Sequence, residues 1–258
     1  MQGIIELFHA DSLAGPMSEL KKAFEAKNPS VTIHLTAGRS KELAERILKG
    51  DTCDVFAPSD PQVVKNLMSR HVHDKEAAAW YISFSANELV VITKKGNPLG
   101  IKRMSDLTKD GVMLARVSGE SDMGTSRTIE FVQNATTYEG NPDLAQQIIT
   151  GAINAGTVPG VLQAVQTGHA NTGIVYLSAA MSISDDVDII YFPAAVNLSK
   201  KIVNVITIPG TARNVKTADD IIKLLLSAEG RQILKKSGQP PIVPPIAEGN
   251  IPFMIPTE

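Results

Sequence analysis

Serine hydroxyls, loop glycines and a strand-end tyrosine recur at places where an anion could be held, with few cations beside them. The loop His9-Ala10-Asp11-Ser12 stands just ahead of a helical pattern that begins at Leu13. Ser12 is expected at the N-cap, where its hydroxyl and the following N–H groups point out of the helix end. A helix N-terminus carries partial positive charge and free donors, which makes it an anion site as readily as a capped end. Read alone, Ser12 is better explained as a cap, because serine caps are common. The loop Ala37-Gly38-Arg39-Ser40 repeats the pattern before a second helix, with a glycine for close backbone approach. Further along, Ser121-Asp122-Met123-Gly124-Thr125 and Gly156-Thr157-Val158-Pro159-Gly160 each lead into a helix, and Gly173-Ile174-Val175-Tyr176 ends a strand on a phenol. Hydroxyls and backbone donors suit a dehydrated dianion, because a low-dielectric site strengthens each bond. Asp11, Glu120 and Asp122 count against this unless they point outward.

These loops need elements to hold them. Alternating apolar runs predict strands at 3–9, 31–35 and 54–57, with helices at 13–27, 41–49 and 61–69. That β-α order predicts a parallel sheet covered by helices. Two close strands, 80–84 and 89–93, interrupt the rhythm. A second series follows, with strands at 112–117, 172–176 and 187–192 and helices at 125–135, 144–150 and 158–167. A return strand at 201–208 precedes helices at 218–226 and 228–236. The segment 238–256 is rich in Pro and Ile and is expected as an extended tail on the body, since Pro does not enter a regular element interior.

The fold class expected is therefore α/β with two lobes, each a mainly parallel sheet flanked by helices, joined by two hinge crossovers near 84–87 and 192–197. Residues 1–84 plus 197–258 form the first lobe and 85–196 the second, with a ligand cleft between them. In open α/β sheets ligands sit beyond the carboxyl ends of the strands, so the strand-to-helix loops are the ones to watch.

Composition narrows the function. The chain has 258 residues, 43% hydrophobic and 20% charged, with a formal net charge of −2. No overall field draws nucleic acid, so an anion must be attracted locally. One cysteine, Cys53, rules out an internal disulfide and reads as a buried structural thiol. No apolar stretch reaches the roughly 20 residues of a membrane span. No leader is visible before the first strand, which fits a cytoplasmic protein or a mature form without its leader. An enzyme is not expected: Gly-x-Ser-x-Gly, P-loop and His-Glu-x-x-His motifs are absent. Glu88 and Asp54 are not placed together, and His71-x-His73 lacks a third metal ligand. His9 and His34 read as structural histidines in or at the ends of strands.

Four segments carry a resemblance: Phe8-His9-Ala10-Asp11-Ser12-Leu13, Ala37-Gly38-Arg39-Ser40, Asp54-Val55-Phe56-Ala57-Pro58-Ser59-Asp60 and Gly173-Ile174-Val175-Tyr176. In order and spacing the chain resembles the molybdate/tungstate-binding proteins of ABC importers, over nearly its whole length. The resemblance implies a type II periplasmic-binding-protein fold and an extracytoplasmic, monomeric receptor that delivers molybdate or tungstate to a membrane permease. It implies no cofactor, no nucleic acid and no direct protein-to-metal ligation. It implies five contacts: Ser12 and Ser40 through hydroxyl and N–H, Met123 and Val158 through backbone N–H, and Tyr176 through its phenol. Two positions depart from the pattern. Arg39 stands where a small residue is usual. Val175 and Ser121 replace the acidic pair that completes six-coordinate metal in the archaeal-type branch, which favours tetrahedral, hydrogen-bonded binding. The alternatives are another anion (sulfate, phosphate, or a carboxylate held by Arg39 or Arg127) and a cytoplasmic anion-sensing domain.

Overall fold

A computed structural model describes residues 3–119 and 123–255. The chain divides into two compact units, Met1–Ala86 with Ile202–Glu258, and Asn87–Lys201. It passes between them at 86/87 and 201/202. The return passage falls beyond the 192–197 segment expected for it, because Asn197 is still tied to the second unit: its carbonyl accepts from Leu89 N–H and its side-chain amide donates to Glu88.

The first unit opens with β1 (Gly3–Ala10), α1 (Ala14–Lys27), β2 (Val31–Gly38), α2 (Ser40–Leu48), β3 (Val55–Ala57) and α3 (Pro61–Met68). A two-strand hairpin of β4 (His71–Val72) and β5 (Lys75–Glu76) leads to β6 (Trp80–Ala86). In the second unit come β7 (Leu89–Lys94), β8 (Leu114–Arg116), α4 (Met123–Tyr138), α5 (Leu144–Gly151), β9 (Ile153–Asn154) and α6 (Val158–Thr167). Then follow β10 (Thr172–Tyr176), α7 (Leu177–Met181) and β11 (Val187–Ile190). The chain finishes in the first unit with β12 (Val203–Ile206), α8 (Val215–Leu226), α9 (Ala228–Lys236) and β13 (Pro241–Gly249).

Strands β2-β1-β3 run parallel, as expected for consecutive β-α units. A second sheet, β12-β6-β13, is antiparallel and meets the first through the paired Phe56 and Thr207 backbones. The apolar alternation buries Ile5 and Leu7 on β1 and Ile33 on β2 against Leu13, Met17 and Leu20, and α8 adds Ile221, Ile222 and Leu225. The opposite face packs Phe8 and Phe56 against Ile47, Val64 and Leu67. Helices thus cover both faces. Cys53 lies in that second cluster, fully buried, with its thiol donating to the Val55 carbonyl at 3.2 Å and its pKa pushed up by burial.

The proline-rich tail corrects the sequence expectation. It forms β13, antiparallel to β6 and at the sheet edge. The ladder breaks between Pro241 and Ile246, so Pro244 and Pro245 sit in the irregularity, where a missing N–H costs no ladder bond. Phe253 beyond it packs edge-on against Trp80 at 5.7 Å.

In the second unit the order is β11-β7-β10-β8-β9. Strands β10, β8 and β9 are parallel, and β7 runs antiparallel to both β10 and β11. Helix α6 lies so close to β10 that a Cβ on Gly173 would fall 2.7 Å from Val161 Cγ1. Only glycine fits there without displacing the helix.

Candidate functional site

In the first unit the parallel register brings the serines level. Ala10 pairs with Gly38, and His9 with Ala57. Ser12 and Ser40 each lie two residues past the Ala10–Gly38 pair, and Ser59 lies two past Ala57. All three therefore emerge beyond the carboxyl ends of neighbouring parallel strands. Ser12 is exposed and Ser40 half-buried. The Ser40 hydroxyl accepts from Ser59 N–H at 3.2 Å.

Neither serine caps a helix by its side chain, contrary to expectation. Ser12 sits inside a single 3-10 turn, Asp11–Leu13, and Leu13 is the N-cap of α1. Arg39 is the N-cap of α2 and Ser40 its first helical residue. Strand β1 runs on to Ala10, which carries Ser12 into the turn before the helix axis is set. Both hydroxyls are thus released from capping. The Ser12 carbonyl accepts from Gln239 Nε2 at 2.9 Å, and Gln239 is bound in turn by Asn204, which also donates to Ser85. That buried amide network fixes the Ser12 loop to β6 and β12.

Arg39 turns to solvent, its side chain 82% exposed and paired with Glu42 at 3.3 Å. Asp11 is exposed as well. Asp54 is wholly buried and accepts from the Glu6, Arg213 and Asn214 amides at 3.0, 2.8 and 2.8 Å. It ties β1 to the loop before α8, with no access to solvent for acid–base work. His9 is buried with Nδ1 2.9 Å from the Ala10 carbonyl, and burial lowers its pKa. His34 is exposed, 3.1 Å from Glu6. Among the described residues no group of three His, Cys, Asp or Glu side chains could hold a metal ion.

The second unit repeats the arrangement. Gly173 pairs with Ala115, and Ala115 with Ile153. Three residues further along the chain stand Tyr176, which ends β10, and Ser118 and Gly156, which lie just past β8 and β9. Ser118 and Gly156 are bonded to one another, with Gly156 N–H donating to Ser118 Oγ at 3.3 Å and Ser118 N–H to the Gly156 carbonyl at 3.2 Å. Val158 opens α6 behind its N-cap Thr157, whose hydroxyl accepts from Gly160 N–H at 3.2 Å. A Cβ at Gly160 would lie 2.1 Å from the Ala155 carbonyl, so this turn needs glycine. Met123 opens α4. The Met123 and Val158 amides belong to first turns that have no intrahelical acceptor. Ser121, Asp122 and Glu120 lie outside the described residues.

Tyr176 is half-buried, and its phenol oxygen receives Arg127 Nη1 at 3.4 Å. Sequence reading weighed Arg127 only for a carboxylate ligand, and it did not single out Ser59 or Ser118. Ser59 and Ser118 repeat the pattern of a serine just past a parallel strand, a signal that was present. The approach of Arg127 to Tyr176 had none.

Solved structures share the fold. A substrate-binding domain assigned to a molybdenum ABC transporter from Clostridium difficile superposes with a TM-score of 0.77 at 22% identity, over 93% of this chain and 99% of that one. The Azotobacter vinelandii periplasmic molybdate-binding protein gives 0.68 at 16%, with the same coverage. At these identities the likeness shows the fold, that of periplasmic binding proteins. The description of bacterial extracellular solute-binding proteins matches residues 5–239, and the chain belongs to that family. The molybdate-binding protein ModA of Mycobacterium tuberculosis is 30% identical over 238 residues, spanning 91% of this chain and 83% of that protein. An uncharacterized solute-binding protein of Methanoculleus marisnigri is 24% identical over 307 residues, spanning 96% and 84%.

Proposed function

We propose that this chain is the extracytoplasmic receptor of an ABC importer and captures a tetrahedral oxyanion, molybdate or tungstate, by hydrogen bonds. The observation that carries this reading is the level placement of Ser12 and Ser40 beyond paired parallel strands, with both hydroxyls free of capping duty. The second unit offers a comparable donor set in Tyr176 and the first-turn amides of α4 and α6. In the proposed mechanism each unit supplies part of the donor set to one anion, and closure on the ligand completes it. A dianion stripped of water is then held by charge-assisted bonds. Selection against sulfate, which has the same charge and shape, rests on cavity size. The naming of the mycobacterial relative as molybdate-binding supports the choice of ligand.

The test is calorimetric titration of anion-stripped protein with molybdate, tungstate, sulfate and phosphate. Tight binding of the first two with little heat from the others is expected. Silence from all four would remove the oxyanion reading.

A further inference from the structure

We infer that Arg127 contacts the bound anion together with Tyr176 and sets a preference for doubly charged ligands; this rests on the oxyanion reading above. Arg127 lies on α4, a helix of 16 residues, and its Nη1 stands 3.4 Å from the phenol oxygen at the end of β10. That distance is long for a hydrogen bond between the two, so the guanidinium is not saturated by the tyrosine. Both groups can donate, and they lie side by side at the end of β10.

The charge of Arg127 is not spent elsewhere among the described residues. Glu130, one turn further along the same helix, is paired with Lys201. Arg116, the other arginine near this strand end, gives Nε to the Ile149 carbonyl at 3.1 Å and Nη1 to the Val117 carbonyl at 3.0 Å. Arg127 has no such carbonyl or carboxylate among the described residues. A half-buried guanidinium with no partner charge among the described residues is able to take an anion through charge-assisted hydrogen bonds. Its attraction to a dianion is twice that to a monoanion at the same distance. The pull of the neutral donors Ser12, Ser40 and Tyr176 also scales with the ligand's charge, but a full positive charge makes the difference between dianion and monoanion larger in absolute terms.

Perrhenate, a tetrahedral monoanion, separates the two contributions when titrated beside molybdate. Arg127→Gln is expected to weaken molybdate binding about 10–100-fold, the range of a lost hydrogen bond to a charged group, and to weaken perrhenate binding several-fold less. The molybdate-over-perrhenate ratio therefore falls. Arg127→Lys keeps a charge on the helix and should retain most of that ratio. Equal losses for both anions in the Gln variant, or a ratio that falls as far with Lys as with Gln, would overturn the inference while leaving the oxyanion reading intact. Wild-type protein that binds neither anion would sink both.

Discussion

The backbone N–H of Ser59 donates to the Ser40 hydroxyl oxygen at 3.2 Å, a bond that leaves the hydroxyl's own proton uncommitted. A third strand thereby orients a donor at the end of a second one. Ser40→Ala is expected to weaken anion binding by about 1–3 kcal/mol, and Ser12→Ala by a similar amount. Calorimetric affinities for molybdate check this, and unchanged values in both variants would take the two serines out of the site.

Tyr176→Phe removes the phenol but keeps the ring and its place at the end of β10. Affinity should fall about tenfold or more, as for loss of a charge-assisted bond, with little change in the thermal midpoint. A variant that binds as well as wild type would show that the phenol does not reach the ligand.

Gly173→Ala tests the packing that holds α6 against β10. The added methyl would meet Val161 Cγ1 at 2.7 Å and Ile92 and Val165 carbons at 3.3 Å, all within one apolar cluster. Overpacking of this kind costs about 1–3 kcal/mol, measurable by denaturant unfolding. Because Val158 rides on α6, anion affinity should fall along with stability. Normal stability would mean that the helix moves aside freely.

Asp54→Ala strands three backbone amides from two distant parts of the first unit. A loss of about 3 kcal/mol or more is expected, since each buried donor left unpaired carries its own desolvation penalty. Urea unfolding would read it, and a loss below about 1 kcal/mol would mean that water replaces the carboxylate.

Glu88 gives a pH signature. Burial raises its pKa, and the hydrogen bond from Asn197 opposes this only in part. The folded protein holds this proton more tightly than the unfolded chain, so the contribution of Glu88 is full at low pH. It is lost as pH rises past the unfolded value of about 4.3 and through the folded one. Glu88→Gln should therefore stabilise the protein more at pH 7 than at pH 4, seen in thermal midpoints. An equal difference at both values would contradict the sign.

Local periodicity made much of the fold legible. The bounds expected for β10 and α6 are those observed, because each is a clear apolar pattern between turn signals. The hairpin of β4 and β5, and β9, are two-residue strands below the reach of any period. β13 was hidden by its prolines, which an edge strand with a broken ladder tolerates. In the candidate site, the serines were visible as residues after strands, whereas their release from capping depended on where β1 ends. The meeting of Arg127 with Tyr176, 49 residues apart, and that of Asp54 with the Arg213 amide, 159 apart, depend on tertiary packing and leave no local trace.

The division of the chain also orders its assembly. The second unit is one continuous stretch, Asn87–Lys201, whereas the first is interrupted by it. As the polypeptide is made from its amino end, every strand of β11-β7-β10-β8-β9 is present while β6 still lacks both of its neighbours, β12 and β13. Until residue 206 has emerged β6 offers two open edges, and until residue 249 it still offers one, so a nascent or prematurely terminated chain carries a strand ready to pair with whatever lies nearby.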